Sequence, residues 1–383
     1  MRRSTLLLLF AGLVVGLLLP AASSARTLNV HRGQSIQEVV DRAHEGDRIY
    51  VHPGVYREEG RPCPNRPTRI CAVAITEDEI SLIGKGNKNR PVIIENPGGQ
   101  SRGIDVGRSG DGAACLTDPS LRINGSYISN IQANGFDTFG IFLFCVDNWR
   151  ITNVETHANL LYGVFPSHVG AGRIDHSVAS GSHDTGIYIG QSHDVEIDHN
   201  VAFDNVSGYE IENSANTFTH HNRAFGNTGG ILSFTLPGLD VTSNSNNEIS
   251  DNVVTDNDRP NTCLNPNDAV CAVPPGTGIL LLAADTNFVH DNGVVGNDTF
   301  GIAVSNFCTG NSAACNPPPS DIDINPDGNR IVSNVATGNG GNPAPSVPSI
   351  FAVDLAWDFT GTGNCWSGNT NNTQFPPSLP PCP

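Results

Sequence analysis

Gly186-Ile-Tyr-Ile-Gly-Gln-Ser192, Gly208-Tyr-Glu-Ile-Glu-Asn-Ser214 and Gly229-Gly-Ile-Leu-Ser-Phe-Thr235 repeat one pattern: glycine, then apolar or aromatic residues alternating with less restricted positions. The glycine–apolar pair stands at Gly140-Ile141, Gly163-Val164, Gly186-Ile187, Gly208-Tyr209 and Gly230-Ile231, at spacings of 23, 23, 22 and 22 residues. It continues at Gly278-Ile279 and Gly301-Ile302, after longer insertions. A second series keeps phase with it at turn-like positions: Asn130, Asn153, Ser177, Asn200, Asn222, Asn252, Asn292 and Asn334.

A period near 22 built from short alternating segments suits one coil of a parallel β-helix, in which three short strands are separated by turns. Alternation sends Ile187 and Ile189, or Val195 and Ile197, to the lumen. Asparagine at a repeated turn tolerates left-handed backbone, and its amide can hydrogen-bond along the stack, so this column reads as scaffold. A leucine-rich horseshoe is excluded by the missing Leu-x-x-Leu-x-Leu pattern. A calcium roll is excluded by the missing tandem nonapeptides. The fold predicted is all-β: a single-stranded parallel β-helix of about ten coils over residues 26–340.

The ends of such a stack expose apolar edges that need covering. Ser35-Ile-Gln-Glu38 is a capping box that opens a short amphipathic N-terminal capping helix through Ala43. Residues 46–56 read as the first coil. Residues 341–383, with Trp357 and Trp366, read as a C-terminal cap or tail. The Pro/Asn-rich insertions 256–276 and 307–327 read as rim loops, each with one cysteine pair.

Residues 1–25 read as a secretory signal: Arg2 and Arg3, an apolar run over 6–19, and Ser23-Ser24-Ala25, with cleavage near Ala25. A secreted or periplasmic protein is expected. No later segment has the roughly 18 consecutive apolar residues of a membrane span. Cleavage removes two arginines and takes the formal charge from −17 to −19. Nucleic acid is therefore excluded as a partner, whereas an acidic polysaccharide would need a local basic patch or a bridging cation. The ten cysteines fall into near neighbours, Cys63 and Cys71, Cys115 and Cys145, Cys263 and Cys271, Cys308 and Cys315, Cys365 and Cys382. Five local disulfides are the simplest reading, because no CxxC pairs or clustered Cys/His spacings favour zinc.

The chain from Thr27 to Tyr56 and from Asn130 to Thr235 resembles the right-handed β-helix proteins of the pectin-lyase-like superfamily. The opening pattern of residues 46–58 is common there. The segments starting at Gly186, Gly208 and Gly229 resemble exported bacterial β-helix proteins of unassigned activity. The resemblance implies right-handedness and export, and supplies no catalytic residues. The polygalacturonase strings Asn-Thr-Asp, Gly-His-Gly and Arg-Ile-Lys are absent. Tyr162-Gly-Val-Phe-Pro-Ser-His168 is similar to the alginate epimerase motif but has Phe165 where that family has Asp. Ile174-Asp-His176 and Ile197-Asp-His199 echo a pectate lyase string, yet stand one repeat apart, as a turn would.

A ligand groove on a β-helix runs along one outward face, so side chains that stack in one outward column are the candidates. After each glycine–apolar pair the next residue points outward: Phe165, Tyr188, Glu210, Leu232, Leu280. Two residues on come Ser167, Gly190, Glu212 and Phe234. Aromatic faces beside carboxylates and amides grip sugar rings, so Phe165, Tyr188, Gln191, Asn213 and Phe234 are the candidate substrate-binding residues. Glu210 or Glu212 is the candidate base or calcium ligand, and His168 or His183 the candidate proton shuttle. A Ser-His-Asp triad at Ser182-His183-Asp184 is rejected, because adjacent residues on a turn do not orient one another. His220 and His221, with His199 a coil earlier, are a metal-binding alternative to solvent-exposed turn histidines. The sequons at Asn124, Asn205, Asn297 and Asn371 are incidental in so Asn-rich a chain. Three function classes follow: a polysaccharide lyase or epimerase rather than a hydrolase, a non-catalytic glycan binder, and a structural or cell-surface partner of another exported protein.

Overall fold

The computed structural model describes residues 25–108, 110–309 and 315–383; the expected signal, up to residue 24, lies outside them. Three parallel sheets of 12, 11 and 12 strands run the length of a solenoid. Successive strands pass from the first sheet to the second to the third and back, so each sheet pairs a residue with its counterpart one rung away. Within the sheets an antiparallel ribbon, Arg61–Cys63 on Arg66–Ile75, interrupts the parallel pairing.

The lumen is built by register. Ile128, Ile151, Ile174 and Ile197 stack in the first sheet. Ala179, Ala202, Ala224 and Val254 stack in the second. Ile141, Val164, Ile187, Tyr209 and Ile231 stack in the third. All are buried in one continuous core. The small residues of the second sheet let the three walls close.

The turn between the first and second sheets separates two roles that the sequence reading had joined. Asn130 and Asn153 take left-handed backbone at φ 54° and 52°, a column continued by His176, His199 and His221. The next column is buried and stacks amides. Asn200 N–H donates to Asn222 Oδ1 at 3.0 Å, Asn222 N–H to Asn252 at 2.9 Å, and Asn252 N–H to Asn292 at 3.0 Å. Each side-chain amide also donates to a lumen carbonyl, as Asn222 does to Ile197 O at 2.7 Å. Parallel ladders run at the other turns through Asn205, Asn227, Asn257 and Asn297, and through Asn247, Asn287 and Asn329.

The N-terminal helix spans Ile36–Val40, shorter than expected, and buries Ile36, Val39 and Val40. Ser35 Oγ accepts from Glu38 N–H, while Glu58, from the following coil, accepts from Ile36 N–H at 2.8 Å. The sheets are deeper than the ten coils inferred from the period. Thr27–Val30 precedes the helix yet joins the first sheet, and strands Leu355–Trp357, Cys365–Ser367, Thr370–Asn371 and Gln374–Phe375 extend the stack into the expected tail. All five cysteine pairs are disulfide-bonded as read. Such disulfide use suits an extracellular or periplasmic protein. Among the described residues no helix is long and apolar enough to cross a membrane.

Asn222→Ala would strand the Asn200 N–H and the Ile197 carbonyl inside the stack. It is expected to cost about 3 kcal/mol, read from the urea midpoint, because each buried unpaired group costs about 1–3 kcal/mol. Asn148→Ala, at an exposed position of the strand Val146–Thr152, loses only a solvent-exposed hydrogen bond to Asn124 and should cost markedly less.

Candidate functional site

The outward columns of the third sheet follow the predicted order. Phe142 pairs with Phe165, Tyr188 with Glu210, Glu210 with Leu232, and Leu232 with Leu280. Gly190, Glu212, Phe234 and Leu282 form the adjacent column. The aromatic part is a closed stack. Phe165 lies 4.2 Å from Tyr188 and 5.5 Å from Phe142, near-parallel to both. Tyr188 is buried and directs its hydroxyl to the Glu212 carboxylate. Gly190 is required here, because a Cβ would overlap that hydroxyl. The ring faces expected to grip a sugar are thus spent on one another.

Three further candidates serve the scaffold. Gln191 Oε1 accepts from Asp240 N–H at 3.0 Å. Asn213 donates to the carbonyls of Leu236 and Val241 at 2.8 and 2.6 Å, and accepts from Leu236 N–H. Both tie down the loop that follows Phe234. His168 is buried, with Nδ1 2.9 Å from Ser167 Oγ and Nε2 3.1 Å from Asp240 Oδ2. Burial lowers its pKa, against the opposing pull of Asp240. It does not line the cavity that holds the acids, so it is no shuttle for them.

Glu210, Glu212 and Phe234 do come together, in a cavity of about 500 Å³ between the third sheet and the insertion 256–276. Asp184, Tyr162 and Asp268 join them on its polar side. Leu232, Leu280 and Leu282 from the sheet, and Val270 and Val273 from the insertion, make the apolar side. The insertion is a wall rather than a free rim loop. Cys263–Cys271 closes it, Asn261 donates to the carbonyls of Val270 and Val273, and His183 Nδ1 lies 2.9 Å from Thr262 O. His183 therefore turns to the insertion while its neighbour Asp184 turns to Glu210.

The site is electrostatically unusual. Glu210 is 4% exposed. Burial pushes its carboxyl up to about 7, and the charge of Glu212 adds to the shift. Burial likewise pushes Glu212 up to about 7, against the hydrogen bond from Tyr188. Burial and the neighbouring Glu210 raise Asp184 well above the carboxylate range, although Tyr162 hydrogen-bonds to it. Like charges in so poorly solvated a wall cannot all ionise near neutrality, so the acids share protons. Among the described residues, no Lys or Arg lines the cavity.

The acids do not form a calcium cage as they stand. Among the described residues, three or more ligand atoms converge within 4.8 Å of one another only for Glu196, Asp198 and His220, and for Cys63, Cys71 and Asp105. The second set contains a disulfide and has no thiolate to offer.

Sequence reading missed Asp184, Tyr162 and Asp268. A signal for Asp184 was present: two residues before each repeat glycine stand Thr138, Leu161, Asp184, Val206, Thr228, Gly276 and Thr299, with one charge among them. Asp268 lies in the insertion, outside the repeat, and no periodicity could reach it.

The family model "Right handed beta helix region" matches residues 90–235 and 139–317. The A-module of mannuronan C-5 epimerase AlgE4 of Azotobacter vinelandii superposes with a TM-score of 0.59 at 17% identity, covering 90% of this chain and 94% of that structure. The periplasmic alginate epimerase AlgG superposes at 0.56 and 14% identity, covering 90% and 73%. At these identities the likeness is one of fold. No curated protein sequence matches the chain.

A raised carboxyl pKa means that the folded chain holds protons that the unfolded chain releases between the ordinary 4.5 and about 7. Stability contributed by this site therefore falls as pH rises through that window. The stability of Glu210→Gln relative to wild type is expected to climb between about pH 4 and about pH 8, by on the order of 3 kcal/mol. Unfolding midpoints read it, and a difference that stays level with pH contradicts it.

Proposed function

The chain belongs to the right-handed β-helix family, and from that premise we propose that it binds a uronate-containing polysaccharide in the cavity beside the third sheet. One observation carries the reading: Asp184, Glu210 and Glu212 share a half-apolar cavity whose poor solvation raises the pKa of all three, Glu210 and Glu212 to about 7. Buried ionisable groups weaken a fold, and groups with strongly shifted pKa values concentrate at functional sites. A protonated carboxyl donates a hydrogen bond, so the acids can accept a uronate carboxylate without arginine or a bridging cation. The leucines and Phe234 offer the apolar wall that the C–H face of a sugar ring requires. The similar folds named above belong to enzymes of mannuronan and alginate, which supports an acidic polysaccharide. The expected signal at residues 1–25 fits an encounter outside the cytosol.

A catalytic reading of the same site is favoured by a specific feature. A carboxyl near pKa 7 both takes and returns protons at neutral pH, as general acid–base chemistry needs. Tyr162 and Tyr188, hydrogen-bonded to Asp184 and Glu212, would hold those carboxyls in place. Lyase and epimerase reactions both begin by removing the proton beside a uronate carboxylate. With that carboxylate held by a neutral acid, the Glu210/Glu212 pair would supply the base.

Uronate oligosaccharide binding, measured by calorimetry, is expected to weaken at least about tenfold from about pH 6 to about pH 8.5, as the acids ionise. Glu210→Gln, a permanent neutral donor, should flatten that dependence. Turnover followed by NMR of the sugar should vanish in the same variant if the site is catalytic. Binding that ignores pH and survives both Glu210→Gln and Glu212→Gln would overturn the proposal and leave a structural partner role.

A further inference from the structure

The first sheet carries a separate feature on the left-handed turn column. His176, His199 and His221 occupy it in successive rungs, at φ 52°, 54° and 54°. Their rings stack like plates: His176 and His199 have centroids 5.1 Å apart at 3°, His199 and His221 5.0 Å apart at 8°. The side chains of His176 and His199 are about half exposed, and His221 is exposed. Asp251 holds the same turn position one rung beyond His221.

The hydrogen bonds dictate the tautomers. His176 Nδ1 lies 2.8 Å from Asp175 Oδ2, and His199 Nδ1 2.7 Å from Asp198 Oδ2. Asp175 is ion-paired with Arg150 and Asp198 with Arg173, so both carboxylates only accept and both Nδ1 atoms carry the proton. His220 Nε2 lies 3.1 Å from Glu196 Oε1 and donates to it, which leaves His220 Nδ1 as an acceptor. His221 Nδ1, 2.8 Å from that atom, must then donate. In all three neutral rings the lone pair sits on Nε2, and no described residue hydrogen-bonds to those atoms.

We propose that His199 and His221, flanked by His176 and Asp251, form a binding site for a divalent late transition ion of the zinc, nickel or copper class. Imidazole suits these ions, and a carboxylate behind the remote ring nitrogen is the usual support of a metal-binding histidine. Metal–nitrogen bonds of about 2.0–2.1 Å require the two Nε2 atoms to approach within about 4 Å. The rings must therefore tilt out of their parallel stack, a motion open to exposed turn side chains. The bound ion would link neighbouring rungs at the surface.

Zinc chloride titrated into the full chain, prepared without a polyhistidine tag, tests this by calorimetry. Asparagine already occupies this turn position at Asn130 and Asn153, so His199→Asn with His221→Asn keeps the backbone conformation. This double variant is expected to bind zinc at least about tenfold more weakly than wild type. His31→Asn with His52→Asn, which removes the other close imidazole stack, at 4.2 Å, should leave the affinity unchanged. Long-range ¹H–¹⁵N spectra should show protons on Nδ1 of the three ridge rings and perturbation of Nε2 by zinc. Three results would each overturn the proposal: no saturable binding by wild type, undiminished binding by the ridge variant, or protons on Nε2 in the free protein.

Discussion

In-register parallel pairing is the constraint on which the rest of this molecule depends. A residue of given rank in one rung lies over its counterpart in the next, so lumen, turn and outward face are each decided column by column. The buried asparagine ladders enforce the register, since each amide finds its partners only in adjoining rungs. An unpaired amide in the stack costs more than the modest net gain of a paired one, so slippage is opposed at every corner. The price of this rigidity is that any departure from the repeat is copied into a fixed place on the surface.

The cavity arises from such departures. Glu210 follows Tyr188 in a column that is aromatic from Phe142 to Tyr188 and aliphatic from Leu232 onward, and Glu212 lies beside it. On an open face these acids would be solvated and ordinary. The disulfide-closed insertion, braced internally by Asn261 and held to the coil through His183, removes that water and turns a sheet face into an enclosed wall. Loss of solvation, more than mutual repulsion, is what moves Glu210 and Glu212 toward neutral pH. The same enclosure supplies the apolar surface that faces the acids.

The fold was legible because it is periodic: two phased series and alternating strands suffice to specify a solenoid. The outward columns were legible for the same reason, and Glu210 and Glu212 were found from rank alone. What alternation cannot show is whether an outward side chain meets solvent or another part of the chain. Tyr188 and Phe165 point outward yet cover each other, and Gln191 and Asn213 hold a loop whose path no repeat encodes. Asp268 reaches the site only because the insertion folds back across the sheet. Asn130 and Asn200 look like one series in sequence but stand in adjacent columns, since a one-residue slip along the turn is invisible to a period of 22 or 23 residues.

The central claim is that Glu210 and Glu212 are buried, coupled acids that retain protons at neutral pH. Residue-specific ¹³C carboxyl titration by NMR, assigned with Glu210→Gln and Glu212→Gln, tests it directly. Midpoints near 7, each moving when the other glutamate is replaced, are the expected result. Independent titration of both residues near the ordinary value of about 4.3 would contradict the account.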